Sequence, residues 1–381
     1  MATIKQDPKT KTWFFVFDHY ENGKRKQVKR RGFKTKREAN DILLELQKEV
    51  KDNEYVAPDK STLGQFMLHW LENERNMQVG DTTQYSQMVI FNNQIAPRIG
   101  GIKLQDLNPL VCQTYVNDLH KDGFKFNTID RACSLIKLAL DRAVVYKLIK
   151  ENHMRKVTLP KPEDKELKVW DLDQVNTFLN YAKDDRYYPV YALALLTGMR
   201  QGEILGLRWK DIDFEKKTIS IKQVLTNYGR SIKQGAKTKA GNRTIKINDA
   251  LIQVLKQQRK HYLEAMMAGG KYRSKNDSNE FQRDLDLVIF NFRNGGTVFP
   301  ANLVKQYAKV VEGAGLPYIR FHDLRHTHAT LLLADGVNVK VIQERLGHHK
   351  IQVTLDTYSH VLPSMQQEVA DKLDNLINIS L

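Results

Sequence analysis

The apolar positions of this chain fall into three blocks, separated by two polar stretches that carry proline. In the first, Trp13-Phe14-Phe15-Val16-Phe17 reads as a strand and Asn22-Gly23 as a two-residue hairpin turn, with a second strand around Gln27 to Arg31. From about Lys36 the period becomes helical, with Ala39, Ile42, Leu43, Leu46 and Val50 on one face. The pattern predicts a small sheet packed on one helix over residues 1–55.

A linker over 51–61, containing Pro58, leads into a wholly helical pattern from Thr62 to about Lys156. Leu63, Phe66, Trp70 and Leu71 recur at three and four. So do Leu135, Ile136, Leu138, Ala139, Arg142 and Ala143, in the last helix of a small bundle. The second linker, 157–168, carries Pro160 and Pro162 and is flexible enough to let two domains clamp a long ligand. The third block opens with Asp171 and, three residues on, Gln174, a helix start. A further helix from about Tyr187 to Thr197 stops at Gly198. Strands over 218–223 and 243–247 are joined by a long basic connection. Helices are expected from Asp249, Phe299, His322 and Val339, and near Thr354. This block is α+β and mostly helical.

Charge narrows the partner. The 381 residues hold 60 Lys+Arg against 44 Asp+Glu, a net charge of +16 that favours polyanions through counterion release. Nine basic residues and no acidic one lie between Lys24 and Arg37: Lys24, Arg25, Lys26, Lys29, Arg30, Arg31, Lys34, Lys36 and Arg37. An edge strand uses lysines to block aggregation, but nine on one hairpin exceed that need and point to DNA contact. Cys112 and Cys133 make no disulfide framework or zinc spacing and read as small core residues. The longest apolar run, 188–196, is too short to span a bilayer, and no apolar signal core opens the chain. A soluble protein of the cytoplasm is expected.

Chemistry-bearing residues concentrate in the third block. Thr197-Gly198-Met199-Arg200-Gln201-Gly202-Glu203 comes first and His322-Asp323-Leu324-Arg325-His326 stands far downstream. Leu346-Gly347-His348-His349 follows, then Thr357-Tyr358-Ser359-His360. Two arginines are planar, permanently charged forks that match phosphate geometry. Arg325 sits at a helix start, where a cation opposes the dipole; that misfit suggests a bound anion. His322 and His348 are of the residue type that moves protons near neutral pH. No phosphate-binding Gly-rich loop and no carboxylate cluster calling for magnesium is evident, so no cofactor is expected.

In these motifs, and in its order of hairpin-helix, helical bundle and catalytic block, the chain resembles the tyrosine recombinases, the integrases of phages and integrative conjugative elements. The resemblance covers essentially the whole length. It implies three domains: a three-stranded sheet plus helix binding arm-type DNA (1–55), a helical core-binding bundle (62–156) and an α+β catalytic domain (165–381). It implies Tyr358 as the nucleophile, Arg200 and Arg325 on the scissile phosphate, and His322 and His348 as its histidines. A lysine on a strand-connecting hairpin protonates the leaving oxygen, and here Lys237 and Lys239 both qualify. Glu203 matches an acidic position that orients Arg200 or nearby backbone. The resemblance further implies a homotetramer on double-stranded DNA with core and arm sites, assisted by an excisionase and a DNA-bending host factor. The 363–381 tail is a helix that docks in cis or in trans.

Three other readings compete with this one. A type IB-like topoisomerase shares the chemistry but has no need of a basic N-terminal block. A zinc hydrolase would use His322, His326 and His328, without the His-Glu-x-x-His signature. A DNA-binding protein without chemistry would not fill every catalytic position.

Overall fold

A computed structural model of the chain describes residues 2–21, 24–52, 55–163, 167–226, 231–235, 242–267, 285–292, 295–352 and 355. It divides into two compact units, Met1–Asp164 and Lys165–Leu381. The first begins with an antiparallel sheet of β1 (Ala2–Gln6), β2 (Trp13–Glu21) and β3 (Lys24–Phe33), in that order, backed by α1 (Lys36–Lys51). Alternation along β2 sends Phe15 and Phe17 onto Ala39, Leu43 and Leu46 of α1. The Thr35 hydroxyl caps α1 by accepting from the Glu38 N–H at 3.1 Å. β1 has no apolar signature because it is a polar edge strand with four of its five residues exposed. The Asn22-Gly23 turn lies outside the described residues, although Glu21 and Lys24 on either side of it are ladder partners.

The rest of this unit is helical: α2 (Leu63–Trp70), α3 (Asn76–Gln78), α4 (Asp81–Ile90), α5 (Pro109–Lys121) and α6 (Phe126–Val145), with π-helical turns over 71–75 and 91–95. α6 buries Ile129, Ala132, Cys133, Ile136, Ala139, Leu140 and Ala143. Leu138, expected in that stripe, is exposed; two residues beyond Ile136 is about 200° around the helix, on the far side. Cys112 and Cys133 are buried free thiols, and burial pushes both up to about 11.

The second unit comprises α7 (Leu172–Tyr181), α8 (Tyr188–Thr197), α9 (Gln201–Leu205), β4 (Ile212–Asp213), β5 (Thr218–Ile221), β6 (Gln223–Thr226), β7 (Ser231–Gln234), β8 (Arg243–Lys246), α10 (Asp249–Met267), α11 (Pro300–Gly313), α12 (Asp323–Ala334) and α13 (Val339–Leu346). One sheet runs β4-β5-β8 and a separate hairpin pairs β6 with β7. The single strand expected over 218–223 is two, and the basic connection contains the β6–β7 hairpin. Gln223 is buried and donates to the Gly206 carbonyl at 2.8 Å, which carries the chain away from the first sheet after Ile221. α7 opens with reciprocal bonds between Asp171 and Gln174. α8 is apolar on nearly every side, as befits a central helix, and packs against α10 and α12. The helix expected near Thr354 falls outside the described residues. None of the described helices is long and apolar enough to cross a membrane.

Candidate active site

The end of α8 organises the site. Gly198 terminates the helix with φ +66°, a left-handed conformation suited to glycine. The carbonyls at this end are taken up by side chains from distant elements. Leu195 O meets His328 Nδ1 at 2.7 Å, Leu196 O accepts from Arg345 Nη2 at 2.7 Å, and Gly198 O accepts from Arg325 Nη1 at 2.6 Å. Helix C-termini carry partial negative charge, so cations are favoured there. Two residues after Gly198 the chain reaches Arg200, which precedes α9.

Arg325 is 2% exposed and lies in the first turn of α12. Its second guanidinium nitrogen donates to Leu346 O, at the end of α13, at 2.8 Å. The local misfit of a cation at a helix start is thus answered by the carbonyl ends of two other helices, which corrects the expectation that the misfit by itself called for an anion. α13 closes with a left-handed Gly347 (φ +68°), whose N–H bonds Glu344 O, while the His348 N–H bonds Gln343 O. This paired C-terminal closure sets the direction in which His348 leaves the helix.

Glu203, 4% exposed, ties the arginines together. It accepts from the Arg200 N–H and from Arg200 Nη1, both at 2.9 Å, and from Arg243 Nη1 and Nη2 at 3.2 and 2.9 Å. Burial raises its pKa, but the bonds from Arg243 and Arg200 outweigh that and leave it below the usual carboxylate range. Arg200 keeps 40% of its side chain exposed while Arg243 is 7% exposed, so Arg200 can still reach a ligand from a fixed base.

The histidines gather around these guanidiniums. Desolvation and then Arg325 and Arg200 lower the pKa of His322. The same causes, in the same order, bring His348 down to about 4. His326, one turn along α12 from His322, meets it edge-on with ring centroids 5.3 Å apart, and burial followed by the His322 charge lowers it to about 4. In all three the shift favours the neutral imidazole. His328, by contrast, spends both ring nitrogens, one on Leu195 O and one accepting from Arg345 Nε at 3.1 Å. It is therefore unavailable as a third metal ligand beside His322 and His326.

Four of the expected site residues, Arg200, Arg325, His322 and His348, share one electrostatic neighbourhood. Tyr358, Lys237 and Lys239 lie outside the described residues, as does the tail 363–381. Arg243 and Arg345 were missed by sequence reasoning, and His328 was named there only as a zinc ligand. Arg243 looks like an ordinary polar position on an alternating strand and Arg345 like a cation favoured in any last helical turn. In this group Glu203 takes two of the four guanidiniums, Arg200 and Arg243, while Arg325 and Arg345 are held by backbone carbonyls, which leaves an excess of positive charge suited to a phosphodiester in flight.

In the N-terminal sheet, cross-strand partners share a face. Arg31 stands opposite Phe14, Lys29 opposite Val16 and Arg25 opposite Tyr20. Lys29 and Arg31 hold their charges 5.3 and 5.6 Å from the Phe14 ring centre. Lys26 and Arg30 fall at the alternate positions, opposite His19 and Phe15, and are exposed. Arg25 is not uncompensated, since it pairs with Asp18 of β2 at 2.8 Å. Of Lys24, the backbone alone is described.

Comparison with known proteins identifies the family. The model of the phage integrase family matches residues 141–365, that of an arm DNA-binding domain residues 3–50, and that of the N-terminal SAM-like domain of phage integrases residues 62–120. A tyrosine recombinase XerC-like protein of Caldanaerobacter subterraneus subsp. tengcongensis is 30% identical over 374 residues, 93% of each chain. The fold resembles the Tn1549 transposon integrase in complex with a circular intermediate DNA (TM-score 0.66, 20% identity, 81% of this chain and 100% of that one). It also resembles a lambda integrase tetramer bound to a Holliday junction (TM-score 0.59, 16% identity, 93% and 94%). The chain therefore belongs to the phage integrase family and is a tyrosine-type site-specific DNA recombinase.

Proposed function

We propose that Tyr358 attacks a scissile DNA phosphate, that Arg200 and Arg325 hold its nonbridging oxygens, and that the reaction integrates and excises a mobile element. In the first step the Tyr358 Oη–P bond forms and the P–O5′ bond breaks, leaving a 3′-phosphotyrosine. The phenol, whose ordinary pKa is about 10, gives up its proton to a neighbouring base. His322 and His348 would accept it once the phosphate's negative charge offsets Arg325 and Arg200, which with burial lower both imidazoles. Lys237 or Lys239 protonates the departing 5′-oxygen. A 5′-hydroxyl from the partner duplex then attacks phosphorus, expels the tyrosine and restores the diester. One observation carries this reading: two guanidiniums fixed from opposite directions, Arg200 by Glu203 and Arg325 by two helix ends, bear on the same two histidines.

The division of labour follows the blocks: residues 1–55 engage arm sites through Lys24, Arg25, Lys26, Lys29, Arg30 and Arg31, 62–156 engage the core site, and 165–381 cut it. Four copies would act on two duplexes, as in the lambda integrase tetramer on a Holliday junction. An excisionase and a DNA-bending host factor would set direction, and the protein would work on the nucleoid of a bacterial host. The test is a nicked suicide substrate. Tyr358→Phe should bind it and form no covalent adduct, and an adduct with that variant would remove the assignment.

A further inference from the structure

Two arginines that the reaction scheme leaves unused bind strand β8 and the end of α13 to one another in both directions. From β8, the Arg243 side chain donates through Nε to the backbone carbonyl of Arg345 at 2.7 Å. From α13, the Arg345 side chain donates through Nη1 to the carbonyl of Lys246, at the far end of β8, at 3.0 Å. Each element thus holds the other at two points spaced along the strand, which resists both sliding and rotation. Arg345 is anchored in turn by Leu196 O and by His328 Nε2, so the joint is fastened to the same helix end that carries Arg200.

The chain connectivity gives this joint a chemical consequence. β8 begins at Arg243, a few residues after Lys237 and Lys239 in the sequence. α13 ends at Leu346, whose own carbonyl holds Arg325, two residues before His348. We propose that Arg345 and Arg243 form a reciprocal clamp that fixes the start of β8, the strand that Lys237 and Lys239 precede in sequence, against the end of α13 ahead of His348, making Arg345 a positioning residue for protonation of the leaving 5′-oxygen. The proposal rests on the reading of Lys237 or Lys239 as the general acid. Its logic is that an acid carried just ahead of β8 must reach the 5′-oxygen while the guanidiniums grip the same phosphate, and a clamp on the start of that strand makes the two distances covary. Lysine at 345 would keep a cation near the Leu196 carbonyl but could not span Lys246 O, Leu196 O and His328 Nε2 at once.

The experiment compares two suicide substrates under single-turnover conditions at saturating full-length protein. One has the ordinary 5′-oxygen at the scissile position and the other a bridging 5′-sulfur. On the second, the Tyr358 Oη–P bond forms, the P–S bond breaks and sulfur departs as a thiolate that needs no proton. Arg345→Lys should cleave the oxygen substrate more slowly by roughly 100-fold, the scale of a lost general acid, and the sulfur substrate within about threefold of the parent. Lys237→Ala and Lys239→Ala run alongside, and one of them should show the same rescue. Rescue of a lysine variant without rescue of Arg345→Lys would overturn the clamp and leave the acid assignment standing. Rescue of neither lysine variant would remove the acid assignment and the clamp's role with it. Parental rates for Arg345→Lys on both substrates would also overturn the clamp. Arg345→Gln serves as the second variant if Arg345→Lys fails to fold, judged by thermal melting, with the same outcomes read.

Discussion

Arg325 donates to the carbonyl of Gly198 at 2.6 Å, joining residues 127 positions apart and fixing a buried guanidinium at the end of the helix that leads into Arg200. The bond does two things at once. It satisfies a carbonyl that the helix itself leaves unpaired, and it sets the distance between the two cations that would receive phosphate.

Arg325→Lys keeps the charge and removes the fork, so it cannot serve Gly198 O and Leu346 O together. One buried carbonyl is left unpaired, at a cost of about 1–3 kcal/mol, and strand cleavage should fall by ~100-fold or more. Single-turnover cleavage and a urea melt of the same preparation check both. Near-parental cleavage would mean that a point charge is enough.

Gly198→Ala should destabilise without touching a charged group. Its φ of +66° disfavours any side chain, and a Cβ there would stand 2.7 Å from His328 Cδ2 and 2.7 Å from Leu346 Cδ2. Strain and displacement together should cost about 1–3 kcal/mol or more in the denaturant midpoint and shift Arg200. An unchanged midpoint would show that the helix end yields.

Stability should decline in mild acid. His326, His328 and His348 have folded values of about 4 against an ordinary 6.5, so as pH falls the unfolded chain takes up protons first. Their contribution is complete above pH 6.5 and is lost as pH drops toward 4. For His328 the causes are burial first and then Arg345, which protonation would confront with a second cation. Urea midpoints at pH 7.5 and 5.5 test this. His328→Gln should flatten the difference, and a profile as steep as the parent's would count against the histidine.

Deleting residues 1–55 should spare cleavage of an isolated core site and impair recombination that depends on distant arm sites. The motivating feature is the exposed basic row of β3 with Phe14 beside it. Retention of full recombination on an arm-bearing substrate would refute the separation. DNA affinity of the whole protein should drop steeply with salt, and a gel-shift series from 50 to 200 mM checks it, the loss growing about tenfold or more with each few phosphate contacts.

The chain's own pattern was enough for local matters, because they depend on nearest neighbours. The Asp171–Gln174 cap, the stop of α8 at Gly198 and the helical stripes of α1 and α6 follow from residues a turn apart. Motif order along the sequence sufficed to name the chemistry. Tertiary structure alone decided how Arg243 and Arg345 join β8 to α13, since the acceptors in that joint are backbone carbonyls about a hundred residues away, and a carbonyl carries no sequence signature. It also decided the fates of His326 and His328: two residues apart on one helix, they face opposite ways, one edge-on to His322 and the other into the end of α8.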